Sequence, residues 1–150
     1  MNKRFFALVL FLMIPALCIA QKADYRGCTW GDSKVTVKKN EGMDFAKETD
    51  TMILYTGREL GNYVPGNLIF IFQDDKLITI QWEYINPMNT QYLRSSLVEK
   101  YGSPDIASYA LTQWTTKRTI ITLTMNDTPF NFTVVKVKYT DASANIDNGF

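Results

Sequence analysis

Residues 68–84, LIFIFQDDKLITIQWEY, decide the fold of this chain. A run of apolar residues, 68–72, is followed by a polar segment, 73–76, whose composition is typical of a tight turn. A second apolar run begins directly after this turn. The chain is therefore predicted to fold back on itself here as an antiparallel hairpin.

The second arm of this hairpin shows the clearest alternation in the sequence. Apolar and aromatic side chains occupy every second position, and polar side chains lie between them. A period of two predicts a strand with one buried face and one solvated face. The apolar set is Ile78, Ile80, Trp82 and Tyr84, and the polar set is Thr79, Gln81 and Glu83.

Further strands are predicted on both sides of the hairpin. A short apolar run precedes it, and three longer runs rich in β-branched residues follow it, separated by polar turns. Neighbouring strands joined by such short turns are expected to pair in an antiparallel manner. The predicted strands cover 52–55, about 107–115, 119–125 and 131–139.

A first helix is predicted well before the hairpin. Asp32 or Ser33 can accept hydrogen bonds from the free N–H groups of its first turn, and Gly42 can end it after about Asn40. The stretch 35–37 also fits a strand, because it alternates and contains β-branched residues. We prefer the helix for this segment.

A second, longer helix is predicted after the proline that ends the hairpin. Asn89 can cap its first turn, and Gly102 followed by Pro104 is typical of a helix end. Its apolar side chains recur at the spacing of one helical face, which is expected to pack on the sheet. That face consists of Tyr92, Leu93, Ser96, Leu97 and Tyr101.

These elements predict an α+β fold. We expect an antiparallel sheet of about six to seven strands, with one longer and one shorter helix packed on it. No internal repeat or linker is visible in the sequence, so a single domain is expected. The 150 residues of the chain are sufficient for one such domain.

The start of the chain is typical of an export signal. The cationic pair 3–4 precedes an unbroken apolar run, 5–14, and the small residue Ala20 lies directly before Gln21. This pattern predicts cleavage after Ala20 by signal peptidase. The apolar run is shorter than the roughly 20 residues that cross a bilayer, so no transmembrane segment is expected after processing. A periplasmic or secreted location follows.

Processing would divide the chain into three parts. These are a cleaved signal peptide at 1–20, a single domain at 21–140 and a polar tail at 141–150. Leu17 directly before Cys18 argues against a lipoprotein, because lipid-attachment signals carry a very small residue at that position.

Composition excludes several classes of function. The chain has 16 basic and 15 acidic residues, and loss of the signal peptide would leave 14 and 15, so no nucleic-acid partner is expected. Histidine is absent. This excludes Ser-His-Asp and Cys-His catalysis and the common histidine-containing zinc sites. Cys28 would be the only cysteine after processing, and it is interpreted as a small buried residue.

No catalytic residue, cofactor or metal site is predicted from the spacing of the remaining polar groups. Aromatic side chains are the best candidates for a ligand or partner surface, since tryptophan and tyrosine combine a large apolar area with one polar group. Core packing is the competing interpretation for all of them. The candidates are Trp30, Tyr63, Trp82, Tyr84 and Trp114.

The chain resembles small exported bacterial proteins of uncharacterised function. The resemblance rests on Trp30-Gly31-x-Ser33 followed by Val37, which opens a helix, and on Lys100-Tyr101-Gly102-x-Pro104, which closes one. Gln21 directly after the cleavage site is similar to exported proteins of Bacteroidetes-type bacteria. The resemblance implies no activity and no catalytic residues.

Three hypotheses of function follow. The first is a non-enzymatic module that binds a protein, a peptide or a small ligand through an exposed sheet face or edge. The second is an envelope enzyme that uses a carboxylate pair or a Tyr/Lys site. The third is a small envelope inhibitor or assembly factor, which a broad exposed aromatic patch on the sheet would favour.

Overall fold

Eight strands form one antiparallel sheet in the computed structural model, which describes residues 26–59, 65–85, 90–127 and 133–144. The strand order is β1-β2-β3-β4-β8-β7-β6-β5, so the two halves of the chain meet in the centre between β4 and β8. In chain order the elements are α1 (Lys34–Glu41), β1 (Lys47–Glu48), β2 (Met52–Arg58), β3 (Gly66–Gln73), β4 (Lys76–Ile85), α2 (Thr90–Tyr101), β5 (Ile106–Ala107), β6 (Leu111–Thr115), β7 (Thr119–Asp127) and β8 (Thr133–Asp141).

The prediction of an α+β fold with six to seven strands and a longer helix is wrong. The described residues form eight strands and only two short helices, of 8 and 12 residues, so the fold is mostly β. Strand β1 was missed because two residues carry no periodic signal. The predicted strand 107–115 is divided by a turn into β5 and β6. The antiparallel pairing of the sheet is confirmed.

The hairpin that decides the fold is present as β3 and β4. Asp74 and Asp75 both have positive φ, at 50° and 54°, which is the geometry of a type I′ turn that matches the twist of the flanking strands. The register shifts at Ile71 and Phe72, so Leu77 is fully buried and Ile78 only partly. Thr79, predicted on the solvated face, is also buried, and the predicted alternation holds from Ile80 onward.

One face of the sheet carries the core, and both helices pack on it. Val37 of α1 and two leucines of α2 are the buried apolar residues that the helices contribute. A single row of side chains crosses six strands in register and illustrates how continuous this core is. The row is Ile53, Phe70, Ile80, Tyr139, Ile121 and Trp114.

Helix α1 forms because both of its ends are capped. The side chain of Ser33 accepts a hydrogen bond from the N–H of Thr36 at 3.3 Å, and Gly42 has a φ of 109° and donates its N–H to Lys38 O at 2.9 Å. These caps outweigh the strand preference of residues 35–37, so the alternative strand in this segment is wrong.

Only part of the predicted apolar face of α2 is buried. Leu93 and Leu97 lie in the core, whereas Tyr92 is 72% exposed. Tyr101 packs partly against the core. The periodicity therefore located the helix correctly, but it overestimated the width of the face that contacts the sheet.

The chain contains the same structural unit twice, although no repeat is visible in its sequence. Each unit consists of a helix, a two-residue strand and three long strands. We call α1 to β4 the first repeat and α2 to β8 the second repeat. Their last strands, β4 and β8, pair antiparallel in the middle of the sheet.

Equivalent hydrogen bonds support this duplication. In the first repeat Ala46 N donates to Leu54 O at 2.8 Å, and in the second Asp105 N donates to Gln113 O at 2.8 Å. In each repeat the turn between the two-residue strand and the first long strand is also closed by an equivalent backbone hydrogen bond. Thr49 N donates to Met52 O, and Ser108 N donates to Leu111 O, both at 2.8 Å.

Candidate functional site

The aromatic residues singled out in the sequence lie mainly in the core. Trp30, Trp82, Tyr84 and Trp114 are all buried, and Tyr63 lies outside the described residues. The indole N–H of Trp30 donates to the hydroxyl of Thr119 at 3.0 Å within the protein. The four described aromatics therefore stabilise the sheet and present almost no surface to a ligand.

Cys28 is also a core residue. It is fully buried, and burial raises the pKa of its thiol to about 12, with the negative charges of Glu41 and Asp32 acting in the same direction. The thiol thus stays protonated at neutral pH. A protonated, buried thiol is neither a nucleophile nor a metal ligand.

The parts of the chain that the structure describes contain no group of three or more Cys, Asp or Glu side chains that could hold a metal ion. Carboxylate groups instead form ion pairs with single Arg or Lys side chains. Arg118 Nη2 lies 3.3 Å from Asp141 Oδ2, and Lys136 Nζ lies 2.7 Å from Glu83 Oε1. These arrangements are those of structural ion pairs.

A cleft of about 640 Å³ opens beside helix α2. Its volume lies within the range of small-molecule sites, about 300–1,000 Å³. The helix provides one wall, and the turn between β5 and β6 together with the ends of β7 and β8 provides the other. The lining residues are, from the helix, Thr90, Gln91, Arg94, Ser95, Val98 and Glu99, and from the sheet side, Tyr109, Met125 and Thr133.

Among the described residues, the apolar part of the cleft consists of Tyr109, Val98 and Met125. Tyr109 is 73% exposed and Val98 is 40% exposed, while Met125 packs partly against the core below them. Exposed apolar side chains that surround a concave surface are typical of a binding site and untypical of a solvated helix face.

Arg94 connects the two walls. Its Nη2 atom donates to Ser108 O at 3.1 Å and to Tyr109 O at 3.4 Å, so the helix holds the β5–β6 turn in place. The first repeat has the same arrangement with a lysine. There Lys34 Nζ donates to Thr49 O at 3.2 Å and to Asp50 O at 3.0 Å.

Thr90 lies at the start of α2 and lines the same cleft. It is only 7% exposed, and its Oγ1 has no hydrogen-bond partner among the residues that the structure describes. A buried hydroxyl without a partner costs about 1–3 kcal/mol. A rotation of the Thr90 side chain that turns this hydroxyl into the cleft would let a polar group of a ligand satisfy it.

One side chain of the cleft differs from its equivalent in the first repeat. Phe72 N donates to Thr51 O at 2.8 Å, and Met125 N donates to Ala110 O at 3.0 Å, so Met125 takes the position of Phe72. Phe72 is 2% exposed and belongs to the core, whereas Met125 is only partly buried.

The hairpin turn closes the same region of the first repeat from the other side. Asp75 Oδ1 accepts a hydrogen bond from Lys34 N at 3.1 Å, which fixes the short turn of β3 and β4 against the start of α1. The two copies of the scaffold thus differ at the residues that line the cleft. No sequence signal indicated the cleft, since Arg94 and Tyr109 belong to no recognisable motif.

The face of the sheet opposite the helices is an alternative surface. Its central row, Ile69, Gln81, Lys138, Thr122 and Gln113, is partly exposed and mostly polar. At both edges the sheet ends in a strand of two residues, which leaves little backbone for the addition of another strand. No helix in the described part of the chain has the length and apolar character needed to span a membrane.

The sequence model of the TP0088 domain matches residues 21–147. No curated protein and no solved structure matches the chain. Because the matched region covers most of the sequence and all of the described elements, the chain belongs to the TP0088 domain family.

Proposed function

We propose that this TP0088-domain protein is an exported, non-enzymatic binding module that holds a small ligand in the cleft beside α2. The observation that carries this proposal is the cleft itself. It combines exposed apolar side chains with a few polar groups, and it is lined by Arg94 and Met125 where the first repeat has Lys34 and Phe72.

Export is supported by the amino-terminal sequence. A cationic start, an apolar run and the small residue Ala20 precede Gln21, and the family match begins at Gln21 as well. A periplasmic or secreted location would fit a protein whose single thiol after processing, Cys28, is buried and protonated.

Binding is preferred to catalysis because of the groups that line the cleft. Among the described lining residues Glu99 is the only carboxylate, whereas acid–base chemistry by paired carboxylates needs two. Arg94 and Tyr109 are held by structural contacts between the helix and the turn. These groups suit recognition of a ligand.

The inhibitor or assembly-factor hypothesis would be favoured by exposed aromatic residues on the open sheet face. The described residues of that face are aliphatic or polar, as the row from Ile69 to Gln113 illustrates. The exposed tyrosines Tyr92 and Tyr109 lie instead on or near α2. The cleft is therefore the better-supported surface.

The proposal is tested with 1-anilinonaphthalene-8-sulfonate, a dye whose fluorescence increases in apolar sites. Ser95 lines the cleft on an exposed part of α2, and Ser95→Trp is expected to fill it. Val35 is the equivalent position of α1, is 71% exposed and does not line the cleft, so Val35→Trp is the matched control.

We expect saturable dye binding with one site in the wild type and in Val35→Trp, and at least a tenfold loss of affinity in Ser95→Trp. Equal binding by all three proteins would place the dye elsewhere and would overturn the cleft as the binding site. Absence of saturable binding to the wild type would also contradict the proposal.

A further inference from the structure

We infer that the ligand of this cleft carries a carboxylate that binds Arg94, with an apolar body against Tyr109, Val98 and Met125. This inference rests on the proposed function and specifies the ligand class. The two repeats provide the argument, because they show which part of the role of Arg94 is structural and which part is additional.

The structural role of Arg94 requires only two hydrogen bonds to backbone carbonyl groups. In the first repeat Lys34 makes both of them with one ammonium group, at 3.2 and 3.0 Å. In the second repeat Arg94 makes the equivalent bonds from Nη2 alone. A guanidinium has five N–H donors, so those on Nη1 and Nε exceed what the scaffold requires.

The position of Arg94 makes these extra donors useful to a ligand. The residue lines the cleft and is half-buried. Guanidinium groups bind carboxylates through two parallel hydrogen bonds, which an ammonium cannot do. An arginine in place of a lysine is therefore the substitution expected where a carboxylate is recognised.

Glu99, the other charged residue among those described in the cleft, has less influence than Arg94 on which ligand charge is favoured. Glu99 also lines the cleft but is exposed to solvent. Solvent screens an exposed charge more than a half-buried one, so Arg94 dominates the potential inside the cleft.

Thr90 offers a second polar group beside Arg94. Its Oγ1 atom is buried without a partner among the described residues, and a rotation about χ1 that turns this hydroxyl into the cleft lets it donate to a carboxylate oxygen. Arg94 lies one helical turn after Thr90 in α2, so the two side chains project from the same face of the helix. Together they can hold one end of a ligand while its apolar body contacts the opposite wall.

The inference is tested by calorimetric titration with three probes of equal length, octanoate, 1-octanol and octylammonium. We expect the wild type to bind octanoate about tenfold more tightly than 1-octanol, and octylammonium more weakly than either. Equal affinity for octanoate and 1-octanol would overturn the carboxylate assignment while leaving the cleft as a binding site. Tighter binding of octylammonium would assign the ligand charge to Glu99 instead.

Two variants of Arg94 separate recognition from stability. Arg94→Lys can keep both carbonyl bonds, as Lys34 does, and should lower octanoate affinity at least threefold with 1-octanol affinity unchanged. Arg94→Met should abolish the preference for octanoate. Lys34→Met is the matched control, since it removes the equivalent scaffold bonds in the first repeat and should leave all three affinities unchanged.

Thermal unfolding of the same proteins completes the test. Arg94→Met and Lys34→Met should lower the unfolding temperature to a similar extent, because both lose two bonds from the helix to a turn. An Arg94→Lys protein with wild-type octanoate affinity would contradict a role for the guanidinium. If none of the three probes binds the wild type and Ser95→Trp does not alter dye binding, the proposed function itself fails.

Discussion

The indole N–H of Trp114 donates a hydrogen bond of 2.9 Å to the carbonyl oxygen of Gly102. Tyr55 makes the equivalent bond in the first repeat, where its hydroxyl donates to Gly42 O at 2.9 Å. In both repeats an aromatic residue of the first long strand thus satisfies the carbonyl at the end of the helix. The two copies use different side chains for the same contact, which explains why no repeat is visible in the sequence.

Tyr55→Phe and Trp114→Phe are expected to destabilise the protein. Each change removes the donor to a carbonyl at a helix end. This should lower the free energy of unfolding by about 1 kcal/mol for Tyr55→Phe and by more for Trp114→Phe, where a cavity is also created. Urea denaturation measures both. Tyr101→Phe is the control, because the Tyr101 hydroxyl is buried without a partner among the described residues, so its loss should not destabilise. An equal loss in Tyr101→Phe would contradict the role of the helix-end bonds.

Gly66→Ala is expected to be strongly destabilising. A Cβ atom at Gly66 would lie 2.3 Å from Glu83 O, which is backbone of the neighbouring strand and cannot move aside without breaking the β3–β4 pairing. We expect a loss of more than about 2 kcal/mol in denaturant titration. The neighbouring exposed residue Asn67 provides the comparison, and Asn67→Ala should change the stability by less than about 0.5 kcal/mol. Similar values for the two variants would argue against this close strand approach.

Asp141→Asn is expected to destabilise the protein at neutral pH but not in acid. Burial alone would raise the pKa of the Asp141 carboxyl, but hydrogen bonds from Ser143 and the ion pair with Arg118 outweigh it and hold the pKa below its ordinary value. Because the pKa of this carboxyl is lower in the folded protein than in the unfolded chain, its ionised form stabilises the fold at any pH above the unfolded-state pKa of about 3.9. This stabilisation is lost as the pH falls through the folded-state pKa.

The measurement for Asp141 is the stability difference between wild type and Asp141→Asn as a function of pH. We expect about 1.5–3 kcal/mol at pH 7, typical of a hydrogen-bonded charged group, and a decrease toward zero below pH 4. A difference that stays constant from pH 7 to pH 2 would show that the ionised carboxylate is not what stabilises the end of β8.

Thr90→Val is expected to affect ligand binding without destabilising the fold. The Oγ1 atoms of Thr90 and Thr112 are both buried without a partner among the residues described, and valine replaces each hydroxyl with a methyl group of similar shape. Both variants should therefore unfold at the wild-type temperature or above it. Thr112→Val is the control, because Thr112 does not line the cleft. An apolar residue already occupies the equivalent strand position of the first repeat, where the chain has Ile53.

Octanoate titration distinguishes the two threonines. Thr90→Val should weaken octanoate binding several-fold, whereas Thr112→Val should bind like the wild type. If both variants bind octanoate equally well, Thr90 does not contact the ligand. A matching loss in both would indicate an indirect effect of the core on the cleft.

Local sequence signals predicted the individual elements well. The turn at Asp74 and Asp75, the cap at Ser33 and the stop at Gly102 depend on residues next to each other in the chain, and all three lie where the sequence indicates. Strands β1 and β5 could not be predicted in this way, because a strand of two residues exists only through pairing with a neighbour. The predicted number of strands and the predicted fold class were therefore wrong.

The candidate site could not be predicted for a similar reason. The tryptophans and tyrosines singled out in the sequence have the composition of a binding surface, but composition does not distinguish a buried aromatic from an exposed one. The cleft is lined instead by Met125 in the position of Phe72 and by Arg94 in the position of Lys34. These equivalences appear only when the hydrogen bonds of the two repeats are compared.

The sequence by itself determined the β3–β4 hairpin, the helix ends and the exclusion of histidine chemistry, because each depends on residue type or on contacts between near neighbours. Tertiary structure alone decided which aromatics are buried, that one scaffold occurs twice, and that a cleft opens beside α2. The physical reason is that burial and cleft shape depend on side chains far apart in the chain. Their contacts form only when β4 and β8 pair and bring the two repeats together.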